Sequence, residues 1–244
     1  MWYNRPNSDG GDSLTDVAAL ALIGGYDCAK HIRACQRPDG SIFRHPNLPE
    51  STLSRDHTIS LCNYTTFSQD KEPLRKFFWY CVRHGGKMCP GSVGQSMQNL
   101  YTWTCMLMAL GGFYRFIGTC LSLICVLFLP ISAKFLPVGW RLIMVSEYIL
   151  IFRLNTPRVL HYLYHFVSKM VLKRQDCNLF YEVVDNICTH TDSEYLTPRV
   201  NTCKMTQDWL GCDNSWLWCD PRDGRHGTGV DVQYILALIK HYKG

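Results

Sequence analysis

The chain has 244 residues, 47% of them apolar, 18% charged and 13% aromatic, a balance that supports a packed core and excludes a disordered chain. Its net charge of +5 is spread over residues such as Arg33, Arg37, Lys71, Arg75, Lys76, Lys173 and Arg174, without the concentrated basic face of a nucleic-acid binder. Thirteen cysteines are many, but Cys62, Cys81, Cys105, Cys120 and Cys125 sit inside apolar helical patterns, where a thiol behaves as a small hydrophobe. The opening Met-Trp-Tyr-Asn-Arg-Pro lacks the charged-then-apolar pattern of a signal peptide. Synthesis in a reducing cytoplasm is therefore expected, with no disulfide framework. The sequon Asn63-Tyr64-Thr65 is read as chance.

Helical periodicity recurs along the chain and strand alternation is nearly absent. Leu14, Val17, Ala18 and Ala21 mark a first helix, started at Ser13 with Asp16 and closed by Gly24-Gly25. Leu74, Phe77, Phe78 and Cys81 mark another, between Asp70 and Gly85-Gly86. Met97, Leu100, Tyr101 and Thr104 lead a longer helix that Gly111-Gly112 ends. Residues 116–133 run without a charge, close to the shortest length that spans a bilayer. Pro130 cuts that run and Gly118, Thr119 and Ser122 dilute it, so a helix buried in protein is expected and no membrane span.

Val159, Tyr162, Leu163, Phe166, Val167 and Met170 form the clearest amphipathic face, entered through Thr156-Pro157 as N-cap and first helical position. The same Thr-Pro-Arg-Val returns at 197–200. A last helix carries Val232, Ile235, Leu236 and Ile239 from about Asp231 into His241. These signals predict an all-α fold of antiparallel helical hairpins, in one domain over residues 1–244.

Two long loops break the helical rhythm, and such loops in a helical domain are often functional. The first, Gln36 to Ser54, holds the turn Pro38-Asp39-Gly40, then Arg44-His45, and runs into Ser54-Arg55-Asp56-His57. Ser54 as N-cap and Asp56 in the first turn have a purely helical explanation. The same residues also fit a sugar site. A carboxylate of Asp39 or Asp56 would act as acid or base, with Arg44, His45, Arg55 and His57 holding hydroxyls or acid groups. The second loop, Cys212 to Gly229, places Trp216 and Trp218 beside Asp220, Asp223 and His226. Flat indole rings next to carboxylates suit stacking on a sugar face, and equally suit plugs over the end of a helical array.

No metal site is expected. Cys203, Cys212, Cys219 and His226 lack the tight Cys-x-x-Cys pairing of a zinc centre. Phosphate-cradling, nucleophile-elbow and His-Glu-x-x-His motifs are absent too, so no cofactor is expected.

The segment Arg37-Pro-Asp-Gly-Ser-Ile-Phe-Arg-His-Pro with Ser54-Arg-Asp-His, followed late by Trp216-Leu217-Trp218 before a final helix, resembles α/α-toroid, six-hairpin proteins. Some of these are uncharacterised proteins of tailed bacteriophages, and others are glycoside hydrolases and lyases. The motifs cover about a quarter of the chain, which is short for a complete toroid. The resemblance implies an incomplete toroid in a virion-associated protein, made in the host cytoplasm and partnered by other virion proteins. It also allows a glycan-facing role or an enzyme acting on cell-surface polysaccharide, with Asp39 and Asp56 at the catalytic positions.

Overall fold

The computed structural model describes residues 27–44, 49, 51–91, 97–132, 148 and 151–172. The expected first helix, the second Thr-Pro-Arg-Val, the loop 212–229 and the final helix lie outside the described residues. By its internal contacts the chain divides into two compact units, Met1–Cys125 and Val126–Gly244. The described residues are helical, with isolated antiparallel bridges at Gln36–Ile42 and Lys87–Met97 and no strand. The described residues are therefore all-α, as the periodicity predicts for them.

In the first unit, α1 (Ala29–Ala34) starts where Asp27 Oδ1 accepts the Ala29 N–H at 2.8 Å. Helix α2 (Arg55–Ser68) ends at Gln69, which takes the left-handed conformation at φ 60° and donates its N–H to the Thr65 carbonyl. Helix α3 (Glu72–Arg83) follows almost at once, with Pro73 in its first turn, where a missing N–H costs nothing. Leu74, Phe77, Phe78 and Cys81 are all buried, so the 3.6-residue pattern here identifies the inner face correctly. Gly85 and Gly86 end the helix with positive φ, and the Gly86 N–H reaches back to the Cys81 carbonyl at 2.8 Å.

Helix α4 (Leu100–Leu110) opens with a reciprocal capping box. The Thr102 N–H donates to Asn99 Oδ1 and the Asn99 N–H donates to Thr102 Oγ1, each at 2.9 Å. This helix forms the centre of the unit and packs chiefly against α2, with α3 also alongside. Its expected leading residue Leu100 is exposed, whereas Thr104 to Leu110 is buried without interruption. A helix buried almost all round has no single apolar stripe, which is why periodicity misplaces its inner face.

Gly111 and Gly112 end α4 as expected, but they also begin α5 (Gly112–Ser132) with no intervening loop. Pro130 lies inside α5 near its C-terminal end rather than terminating it. The inner face of α5 in this unit is made of small residues. A Cβ built on Gly118 would stand 2.6 Å from Met108 Cγ and 2.9 Å from Met108 N, so only glycine permits this approach to α4. Tyr101 Oη donates to the Cys125 carbonyl at 3.2 Å, and Thr104 Oγ1 lies 3.4 Å from Cys125 Sγ.

In the second unit, residues 151–155 are helical, a 3-10 turn spans Arg158–Leu160, and α6 covers His161–Leu172. Thr156 does not cap α6. Its hydroxyl donates backwards to the Phe152 carbonyl at 2.6 Å, and Pro157 is extended at ψ 145°. The buried aromatic cluster joins Tyr148, Phe152 and Tyr164, with ring centroids 6.3 and 5.6 Å apart in turn. Tyr164 and Val167 therefore point inward, while Val159, Tyr162, Phe166 and Met170 of the expected apolar face are exposed.

Candidate functional site

The first loop folds as a tight turn seated on α3. The Gln36–Ile42 bridge closes it, the Phe43 N–H donates to the Cys35 carbonyl at 3.0 Å, and the Gly40 N–H donates to the Arg37 carbonyl at 2.9 Å. Gly40 takes φ +98°, and a Cβ there would come within 2.7 Å of the Lys76 carbonyl oxygen. Gln36 Nε2 fastens the turn from inside, donating to the carbonyls of Pro73 at 2.9 Å and Gly40 at 3.2 Å.

Asp39 is part of this turn. Its Oδ1 accepts the Ser41 N–H at 2.8 Å and the Ser41 hydroxyl at 2.7 Å. Partial burial pushes the carboxyl pKa up, but the two Ser41 bonds, with Arg37 and His84 nearby, outweigh it and hold the group below its ordinary range. Asp39 is thus an ionised hydrogen-bond acceptor near neutral pH, the state of a general base or nucleophile and not of the proton-donating acid of glycoside cleavage.

The arginines of the loop are turned onto the main chain. Arg37 donates to Ser41 Oγ at 3.3 Å and to the Pro49 carbonyl, and its guanidinium lies 5.0 Å from the Phe43 ring centroid. Arg44 donates its side-chain Nε to the Thr52 carbonyl, and its backbone N–H goes to Ser51 Oγ at 2.9 Å. Arg55, at the start of α2, donates Nε to the Met97 carbonyl at 2.9 Å and so ties that helix to the segment before α4. Arg83 donates to the Asp39 carbonyl at 3.2 Å.

His57 is a core residue, 1% exposed, and its Nδ1 is hydrogen-bonded to Ser54 Oγ. Ser54 stands at the N-cap position in extended conformation, yet its hydroxyl serves His57 instead of a helix N–H. Asp56 lies in the first turn of α2, and its side chain is outside the description, as are His45, Trp216, Trp218, Asp220, Asp223 and His226. Of the expected sugar-site residues, Asp39, Arg44, Arg55 and His57 are therefore placed, each bonded within the fold. The partners that hold them, Ser41 and the carbonyls of Thr52 and Met97, carry no sequence signal beyond the turn at Asp39-Gly40.

Among the described residues no group of three or more His, Cys, Asp or Glu side chains could hold a metal ion. The eight described cysteines are free thiols, all buried except Cys120. Burial pushes Cys35 and Cys81 up to about 12. No family model matches this chain, and it has no significant match to a curated protein or to a solved structure.

Proposed function

We propose that the chain is a non-enzymatic structural component of a tailed-phage virion, at the tail or particle surface, made in the host cytoplasm and held among other virion proteins. The observation that carries this reading is the use of Asp39. The carboxylate matching a toroid hydrolase's catalytic position is depressed in pKa and bonded to Ser41, in a turn whose arginines also bond to the chain itself. Such a loop is built to hold its shape, which serves a scaffold better than a proton-transfer site. The helical hairpins would supply an incomplete toroid as the frame, with glycan contact by the 212–229 loop as an accessory role.

Mass spectrometry of gradient-purified particles from the genome encoding this chain tests the reading. A fixed copy number relative to the major capsid protein is expected, and absence from the particles removes it. Release of reducing ends from host polysaccharide that vanishes in Asp56→Asn would replace the scaffold with an enzyme.

A further inference from the structure

The junction of α4 and α5 gathers positive charge that the fold does not use. Gly111 and Gly112 take φ 76° and 57° and lead the chain from one helix straight into the next. A Cβ on Gly111 would stand 2.8 Å from Lys71 Nζ and 3.5 Å from Arg115 Nη2. Two full cations therefore stand over one backbone position, left uncovered because Gly111 has no side chain. Lys71 comes from the N-cap of α3 and Arg115 from the first turn of α5, both within the first unit. Each is partly exposed, so an ion from solvent can reach them.

Neither charge is compensated among the described residues. The carboxylates flanking Lys71 are engaged elsewhere: Asp70 Oδ2 takes Arg33 at 2.7 Å, and Glu72 takes Lys76 at 2.9 Å and Arg33 at 3.7 Å. Arg115 Nε is buried without a hydrogen-bond partner. The helix ends do not supply the missing negative charge either. The C-terminus of α4 brings about half a negative charge and the N-terminus of α5 about half a positive one, and the two meet and offset at Gly111-Gly112. No carbonyl among the described residues accepts the N–H of Gly112, Phe113 or Tyr114. Lys71 and Arg115 repel each other, and an anion between them would turn that repulsion into two attractions.

The charge of the site selects the class of anion. A carboxylate would leave one of the two cations uncovered. A phosphoryl dianion balances both, and its several oxygens can accept from Nζ, from Nη2 and from the first N–H groups of α5 together. We propose that Lys71 and Arg115, over Gly111 at the start of α5, bind a phosphoryl group, carried by inorganic phosphate or by a small phosphomonoester. The site is independent of the virion reading.

Calorimetric titration of the full chain tests it, with inorganic phosphate, glycerol 3-phosphate and acetate at one ionic strength held with sodium chloride. Either phosphoryl ligand should bind at least roughly tenfold more tightly than acetate, and Lys71→Gln and Arg115→Gln should each weaken it roughly tenfold or more. Tighter binding of glycerol 3-phosphate assigns the site to a phosphomonoester, and tighter binding of phosphate assigns it to the free ion. Thermal unfolding separates a lost site from a lost fold. In phosphate-free buffer Lys71→Gln should unfold at the parent temperature or above it, since one repulsion is gone, and added phosphate should raise the midpoint of the parent alone. Phosphate that neither binds nor raises the midpoint overturns the proposal, as does parent-like binding in both variants or acetate binding as tight as phosphate. A Lys71→Gln chain less stable than the parent without phosphate also overturns it, because the cations would then serve the C-terminus of α4.

Discussion

Gly40 and Lys76 are in a backbone contact that leaves no room for a side chain: a Cβ on Gly40 would stand 2.7 Å from the Lys76 carbonyl oxygen. The obstacle is α3 main chain, which cannot swing aside as a side-chain tip can. Gly40 also takes φ +98°, where L-residues are strained. The two penalties act together, so Gly40→Ala should destabilise the first unit by about 2 kcal/mol or more. Urea unfolding checks this. A midpoint within error of the parent chain would mean that the turn is not seated on α3.

Asp39 gives a smaller effect with a defined pH dependence. Its folded pKa lies below the ordinary value, so its contribution is present above the unfolded pKa of about 4 and fades as pH falls through the folded one. Asp39→Asn should therefore lose stability at pH 7 and converge with the parent chain at the acid end. The side chain is largely solvated, which limits the loss to at most ~1 kcal/mol. Parallel urea titrations across this range report it. A constant difference at all pH values would assign the effect to something other than the carboxylate charge.

These two residues also show how far the sequence can be read. Pro38-Asp39-Gly40 announces a turn because its residues have local conformational preferences, and a turn is there. What the turn rests on is nonlocal. The Lys76 carbonyl lies 36 residues beyond Gly40 and Arg83 lies 44 beyond Asp39, and nothing in the loop encodes them. Helix α3 was legible because its apolar residues keep to one face. Helix α6 was not, because Tyr162, Tyr164, Phe166 and Val167 put apolar groups on more than one side, and packing of Tyr164 on Phe152 selects among them. Among the candidate sugar-site residues, Arg55 donates Nε to the Met97 carbonyl 42 residues away, a partner that the residue type does not encode.

The cysteines make a prediction on reactivity. Cys35 and Cys81 are buried and pushed up to about 12, from an ordinary value of 9.0. Thiolates are the reactive form, so both should resist alkylation in the native chain at pH 8, while exposed Cys120 is modified first among the described thiols. Peptide mapping after a timed iodoacetamide pulse gives the order. The raised values also set a stability window. The full contribution holds below the unfolded pKa and is lost as pH rises from about 9 toward about 12, since the unfolded chain ionises first. Early labelling of Cys35 or Cys81 would contradict their burial.

Gly118 tests the clamp that holds α5 on α4. An added Cβ meets Met108 Cγ at 2.6 Å and Met108 N at 2.9 Å. The first obstacle is a flexible side chain, and the second is backbone. Gly118→Ala gains helix propensity of up to about 1 kcal/mol, so the sign of the net effect depends on whether the helices can separate. The backbone obstacle decides it, and a loss of about 1–3 kcal/mol is expected. Met108→Ala clears only the first obstacle, so in the Gly118→Ala background it should relieve little of the strain. A double-mutant cycle measured by chemical denaturation separates the two contributions. Full rescue by Met108→Ala would show that the side chain alone sets the helix spacing, and the close backbone approach at Gly118 would have to be abandoned.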